Sequence, residues 1–392
     1  MKVLHVIPSL PSVRGGPSQA IVEMVHALRT YENVEAEIAT TNDNGVGLLE
    51  VPLNRQILYK GVPVRFFARF SPRWASLREF AFSYPLTQWL WKNVRNYDAV
   101  HVHAIFSYPS TVAMKIARMQ GVPYFVRPLG QLCEWPLQQS ARKKELYLRM
   151  IERANLNGSA GLHLTSVQEH EEISTLGLMA NSFIIPHGLQ FPRVFPQAPE
   201  RLRSHFNLSP DEPIVLFLSR LHPKKGIDYL LKALSQLKRQ RLTLILAGNG
   251  TPEYEQNIRD LIVQLGLGDR VIMTGFVQGD LKQMLLQGSS IFVLPSHSEN
   301  FGVAVLEALA ASLPVVVTPG VALSRIVTEH YFGQVVSLAP DDIANSISSL
   351  LTDADRLATM GSAAKAFIEN QYAWDKVAGS IVKMYVTSVC KP

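Results

Sequence analysis

The sequence predicts an α/β protein built from two doubly wound domains that face one another across a cleft. Short runs rich in Val, Ile and Leu alternate with helical segments through both halves of the chain, and Pro/Gly punctuation closes most of the runs. The 392 residues also exceed what one ordinary core holds and suit two domains of nearly equal size. Strands alternating with helices imply parallel sheets covered on both faces.

In chain order, residues 3–7 read as a strand, Arg14-Gly15-Gly16-Pro17 as a loop, and residues 18–28 as an apolar-periodic helix. Residues 43–60 form a polar loop leading to an apolar run at 62–67. Residues 66–95 then interleave aromatics with arginines, among them Phe70, Trp74, Arg78, Phe82, Tyr84 and Trp91. That mixture suits a membrane interface or an aromatic cleft, and equally a core with a solvated edge.

Residues 98–103 are a strand whose period-two alternation puts His101 and His103 on one side and Val100 and Val102 on the other. His103 falls at the carboxyl end, where open parallel sheets place ligands. Residues 124–127 are the next strand, breaking at Pro128-Leu129-Gly130; Arg127 there fits contact with an anion, or a helix-terminus cap. Residues 138–153 form a basic amphipathic helix with an apolar stripe at Leu146, Met150 and Ile151, a pattern shared by lipid-facing helices and by core helices with a solvated face. Ser166-x-x-Glu169 has the form of a capping box after a strand at 161–166.

A Pro-rich stretch at 191–199 reads as linker, giving a first domain at 1–186, a linker at 187–210 and a second domain at 211–372. In the second domain, strands are expected at 214–219, 242–248, 271–275, 291–296 and 315–317, with helices at 226–238 and 252–266. Residues 372–385 are helical again.

Composition narrows the function classes. Hydrophobic residues at 47% against 18% charged describe a globular chain rather than a disordered one. Cys133 and Cys390 are the only cysteines, which removes a disulfide framework and a zinc cluster and fits a reducing cytoplasm. The apolar part of the N-terminus is too short for a signal peptide, and no run reaches the ~18 residues of a membrane span. The net charge of +6 sits mostly in residues 1–186, with 19 Lys/Arg against 14 Asp/Glu. That excess fits an anionic membrane or an acidic ligand; nucleic acid is disfavoured because no nucleic-acid motif accompanies it.

The most informative stretch is 291–310, where a buried-strand run passes through Ser296-His-Ser-Glu299-Asn300-Phe301-Gly302-Val303 into an Ala/Leu-rich helix. Such a junction sets backbone N–H groups of Phe301, Gly302 and Val303 at the strand's carboxyl end, where a phosphate is held without a metal. Glu299 and Glu307 lie eight positions apart, ~12 Å along a helix of ~1.5 Å rise, comparable with the distance from sugar to ribose in a nucleotide-diphosphate sugar. The same pair also fits a loop carboxylate and a helix-face carboxylate with no ligand.

Glu299 and Glu307, separated by seven residues, resemble the E-x7-E signature of retaining glycosyltransferases, especially glycosyltransferase family 4. Ser219-Arg220-Leu-His-Pro-Lys-Lys225-Gly226 resembles that family's G-R-x-x-x-x-K-G donor motif, with Ser219 replacing the usual glycine. Pro186-His187-Gly188 is similar to its interdomain P-N-G segment, with His187 for asparagine, and the helix around Trp374 to the terminal helix (373–389) that crosses back onto the first domain. The likeness covers nearly the whole chain, most specifically 214–320.

The resemblance implies the GT-B architecture of two Rossmann-like domains, the first on the acceptor side and the second binding the donor. It implies retaining transfer of a sugar from a nucleotide-diphosphate sugar to a glycan or lipid-linked acceptor, with no metal and no cofactor. Arg220 and Lys225 would meet the leaving diphosphate, Glu299 the donor sugar and Glu307 the ribose. Gly15, Gly16, Gly275, Phe276, Asn300, Phe301, Gly302 and Val303 would line the donor, and His103 would approach donor sugar and acceptor, with His101 weaker. Apart from the resemblance, Arg127's place at its strand's end makes it a weak candidate for contact with an anionic acceptor. A cytoplasmic protein, peripheral at the inner face of the plasma membrane, is the expected setting. A nicotinamide dehydrogenase fits poorly, since G-x-G-x-x-G is missing after the first strand. A nucleotide-sugar epimerase or hydrolase of the same architecture, or a non-catalytic sugar-nucleotide-binding protein, remains the alternative.

Overall fold

Two mainly parallel sheets, each interleaved with helices, organise the chain. The computed structural model describes residues 1–11, 16–138, 141–191, 193–238 and 240–389. The first compact unit is Met1–Gly188 together with Trp374–Pro392, and the second is Leu189–Ala373.

In the first unit the strands are β1 (Lys2–Val6), β2 (Glu35–Thr41), β3 (Gln56–Tyr59), β4 (Val62–Phe67), β5 (Ala99–His103), β6 (Tyr124–Arg127), β7 (Gly161–Leu164) and β8 (Ser182–Ile184). They lie in the order β8-β7-β6-β5-β1-β2-β4-β3. All neighbours are parallel except β3 and β4. β3 corrects the expected loop at 43–60. It is an edge strand with Gln56 and Leu58 exposed, so its hydrophobic pattern does not mark it. The preceding Asp43–Asn44 and Gly47–Leu48 ribbon is pinned by buried Arg69, which pairs with Asp43 and donates to the carbonyls of Gly45 and Gly47 at 3.1 Å each.

Alternation along the strands sorts two cores. Leu4, Val6, Val100, Val102, Tyr124 and Val126 face one side with Leu86, Leu90 and Met114. Val3, Ala99, Phe125 and Ile185 face the other, covered by the helices Gly16–Tyr31 and Trp374–Val389. The second helix buries Trp374, Val377, Ala378, Ile381, Met384 and Tyr385, spaced at helical three-four intervals, and each larger side chain contributes about 1.5–3 kcal/mol by burial. Gly188 makes this docking possible: a Cβ there would lie 2.3 Å from the Trp374 indole.

The basic helix starts at Ala141 in the described residues, 139–140 lying outside them. It passes through a π-helical turn (Leu148–Glu152) before Arg153–Asn157. The wider turn brings both Leu148 and Glu152 inward, where Glu152 accepts from Thr111.

In the second unit β9 (Ile214–Leu218), β10 (Thr243–Ala247), β11 (Val271–Gly275), β12 (Ile291–Leu294), β13 (Val315–Val317) and β14 (Gly333–Val335) form an all-parallel sheet in the order β11-β10-β9-β12-β13-β14. β14 was not expected, because three half-buried residues opening on a glycine carry no strand signal. The proposed linker is also corrected. The chain changes unit after Gly188, and within 187–210 the helix Ala198–His205 buries Leu202 in the second core. Pro199 sits in its first turn, where a missing N–H costs nothing, so proline there marks a helix start rather than a linker.

Candidate functional site

Strand order reverses between β9 and β12, the switch point at which doubly wound sheets bind ligands beyond their carboxyl ends. The loops after these two strands carry the residues singled out above. After β9 the chain makes a short turn at Pro223–Lys225, with His222 Nδ1 accepting from Lys224 N at 3.1 Å. Burial, then the charges of Arg220, Lys225 and Lys224, lower the pKa of His222 from its ordinary value. Gly226 closes the turn at φ 66°, and a Cβ there would meet the Pro295 carbonyl at 2.1 Å, so glycine lets the two loops touch.

The loop after β12 is clamped on both sides. His297 N donates to Lys224 O at 2.9 Å, Glu299 N to Gly320 O at 2.7 Å, and Ala322 N to Glu299 O at 3.1 Å. These bonds aim the Glu299 carboxylate at Lys225, and the two form an ion pair that is largely buried. The structure therefore joins the two motif residues directly, 74 positions apart in sequence. Arg220 is exposed and makes no hydrogen bond or ion pair with a described residue.

The helix itself begins at Val303, with Gly302 as its left-handed N-cap (φ 87°), so it starts slightly later than the sequence suggested. Phe301 is buried against Tyr372 in the core and offers no side chain to a ligand. Glu307 accepts from Lys282 Nζ at 2.6 Å. Sequence reading missed Lys282, because a lysine on a neighbouring helix carries no local signal. β11 ends on Gly275 (φ 70°), and Phe276, which is 61% exposed, follows it. Gly15 lies outside the described residues; Gly16 is exposed and opens the first helix, with nothing within 4 Å of a Cβ built on it.

The first unit holds a second polar cluster, on the sheet face beneath the C-terminal helix. His5 pairs with His101 in register across β1 and β5, and His103 with Arg127 across β5 and β6. His5, His101, His103, Arg127 and His163 are all buried. The protons in one chain of bonds can be assigned. His163 Nε2 must donate to the Ile185 carbonyl (3.0 Å), so its Nδ1 accepts from His101 Nε2 (3.3 Å), and His101 Nδ1 accepts from the Tyr385 hydroxyl (2.7 Å). A separate pair joins His5 Nδ1 and His103 Nε2 at 3.0 Å.

Burial, with the Arg127 charge second, holds His5 and His187 down to about 3. Burial also holds His101, His103 and His163 well below their ordinary value. The rings are neutral at pH 7. Sequence reading found His103 and His101 but not His5, His163 or Tyr385; the available signal was a histidine interrupting each of several buried-strand runs.

Ring nitrogens of His5, His101 and His103 lie within 4.8 Å of one another, close enough for a shared metal ion. Both nitrogens of His101 are already hydrogen-bonded, the set has no carboxylate, and a guanidinium stands beside it, so the residues fit a metal poorly. Asp353-Ala354-Asp355 has the D-x-D spacing of metal-binding glycosyltransferases of the other main fold. Asp353 is instead a helix cap, accepting from Arg356 N at 2.9 Å.

Of the aromatic and basic stretches, Phe66 and Phe67 are core, whereas Phe70, Trp74, Tyr84 and Trp91 are exposed. On the basic helix Leu146, Met150 and Ile151 are exposed beside Arg142, Lys143 and Arg149. Among the described residues no helix is long and apolar enough to cross a membrane.

Residues 15–188 match the family described as glycosyl transferase 4-like domain, and residues 199–367 the family described as glycosyl transferases group 1. A glycosyltransferase of Methanocaldococcus jannaschii, named as uncharacterized, is 35% identical over 185 residues, 47% of each chain. The GDP-mannose-dependent alpha-(1-6)-phosphatidylinositol monomannoside mannosyltransferase of Mycobacterium tuberculosis is 30% identical over 220 residues, 53% of this chain and 56% of that one. The chain thus spans about half the length of the curated relatives it matches. Sucrose-phosphate synthase from Thermosynechococcus elongatus shares the fold with a TM-score of 0.79 at 20% identity over 98% of both chains. HepE of Anabaena, in complex with UDP and glucose, does so with 0.76 at 20% identity over 99% of this chain and 100% of that one.

Proposed function

Because its two halves match glycosyltransferase families and its fold is GT-B, we propose that this chain transfers a sugar from a nucleotide-diphosphate donor to a glycan or lipid-linked acceptor, retaining the anomeric configuration and using no metal. The observation that carries this reading is the Lys225–Glu299 pair at the β9/β12 switch point, with Arg220 on the same loop after β9. In the reaction the bond from anomeric carbon to diphosphate oxygen breaks, a bond from that carbon to an acceptor hydroxyl oxygen forms, and the acceptor proton passes to the departing diphosphate. Negative charge grows on the leaving oxygen. Arg220 supplies a planar fork for it, Lys225 a point charge, and the Gly302–Val303 helix mouth oriented N–H groups.

Donor binding then divides Lys225 between diphosphate and Glu299, which leaves the carboxylate able to accept from sugar hydroxyls. Glu307, oriented by Lys282, takes the ribose diol, and exposed Phe276 lies beside the base.

Incubation with UDP-, GDP- and ADP-sugars, with and without candidate acceptors, tests the reading. Donor consumption that requires an acceptor supports transfer; free sugar or an epimer made without one favours the epimerase or hydrolase instead. Proton NMR of the product's anomeric signal decides retention, and turnover lost to EDTA but restored by Mg²⁺ would end the metal-free assignment. The exposed Leu146 and Met150 beside Arg142, Lys143 and Arg149 fit an anionic bilayer, where a lipid-linked acceptor would be met. Sedimentation with phosphatidylglycerol vesicles but not phosphatidylcholine vesicles is the expected result, and equal sedimentation with both would remove the electrostatic part.

A further inference from the structure

Arg127 ends β6 at the carboxyl edge of the first unit's sheet, and it is 2% exposed. A guanidinium buried to that degree is costly unless an anion and hydrogen-bond acceptors surround it. Here neither does. Arg127 makes no ion pair or hydrogen bond through its side chain with any described residue, and its Nε is buried without a partner.

The hydrogen bonds of Glu169, the carboxylate that interacts with it electrostatically, go elsewhere. Its Oε1 accepts from Gly130 N at 2.7 Å, and its Oε2 from Thr165 N at 2.7 Å and Thr165 Oγ1 at 2.9 Å. The other neighbours are imidazoles kept neutral. Beside Arg127 in register stands His103, whose Nδ1 is likewise buried and unpartnered. The chain turns sharply after both strands, with Ala104, Phe106 and Leu129 in left-handed conformations.

We propose that Arg127, with His103 Nδ1 beside it, binds an anionic group of the acceptor, a phosphate or a carboxylate. The word acceptor rests on the glycosyltransferase reading; the anion site does not, and its test needs no turnover. A guanidinium presents paired N–H donors that match two oxygens of either group, and a neutral imidazole in the Nδ1–H form adds a third donor. An acceptor carrying such a group would supply the hydrogen-bond acceptors that the fold leaves out.

The test is thermal melting of the full chain with inorganic phosphate. Wild type and an Arg220→Ala/Lys225→Ala double variant, which lacks the donor-side cations, are both expected to gain about 3 °C at a phosphate concentration ten times the dissociation constant. Arg127→Met is expected to lose that gain. A phosphate gain that persists in Arg127→Met, or vanishes only in the double variant, overturns the proposal.

If Arg127→Met does not fold, histidine ring ¹⁵N spectra of the double variant decide. His103 must shift on phosphate addition, and no shift ends the case. Phosphate binding at Arg127 without any acceptor-dependent turnover would instead sink the transferase reading alone. Among active acceptors, the phosphorylated or uronate form is expected to have a KM at least 10-fold below that of its neutral counterpart, and Arg127→Met to erase the difference.

Discussion

Lys225 and Glu299 show how far single residues could be read from the sequence. The motif spacing singled out both, but their direct pairing depends on the backbone clamp from Lys224 and Gly320, to which spacing is blind. Lys225→Ala is expected to lower turnover by about 10²-fold or more, since charge on the leaving oxygen is lost in the transition state and Glu299 is left without its partner. Arg220→Ala should cost a similar factor. Near-normal kcat in both variants would remove the diphosphate from these side chains.

Glu307→Ala should raise the donor's KM more than it lowers kcat, and Lys282→Ala should push KM the same way by a smaller factor. The reverse ratio, kcat falling with KM unchanged, would take Glu307 off the ribose. Tyr385→Phe removes the one donor to His101 Nδ1 and is expected to destabilise the first unit by about 1 kcal/mol in urea titration. An unchanged midpoint would show that a hydroxyl bond in this layer contributes nothing net.

At the scale of elements, strands with Val/Ile/Leu runs and helices with a clean apolar period were legible, because burial on both faces leaves a strong compositional mark. Elements that are half-buried were not: β3 and β14 sit at sheet edges, and the helix Ala198–His205 hides behind prolines. The docking of the C-terminal helix depends on Gly188, which the sequence presents only as part of a Pro/Gly turn. Gly188→Ala drives a methyl into the Trp374 ring and is expected to cost about 1–3 kcal/mol, measured as a lower urea midpoint. A variant as stable as wild type would mean that the indole can move aside.

For the whole molecule, the division into two α/β units followed from length and alternation, whereas the buried histidine layer did not, since it forms only when β1, β5 and β7 come together. That layer governs the response to acid. His5 and His187 are held to about 3 in the folded protein, against an ordinary 6.5. As pH falls below 6.5 the unfolded chain takes up protons that the folded one refuses, so stability drops until about pH 3. The slope is about 1.4 kcal/mol per pH unit for each such group. Melting temperature measured from pH 7 down to pH 4 should therefore fall steadily, and a flat profile to pH 5 would contradict the neutral burial of these rings.

The first unit takes one of its helices from beyond the second unit, which is inserted between. During synthesis, the surface destined to lie under residues 374–389 waits for some two hundred further residues to be translated. Until then a nascent chain displays wet imidazoles free to protonate alongside bare apolar strands. A ribosome-bound fragment ending before Trp374 should accordingly be the form that chaperones hold and acidity harms most, and docking of the Trp374–Val389 helix is what seals it.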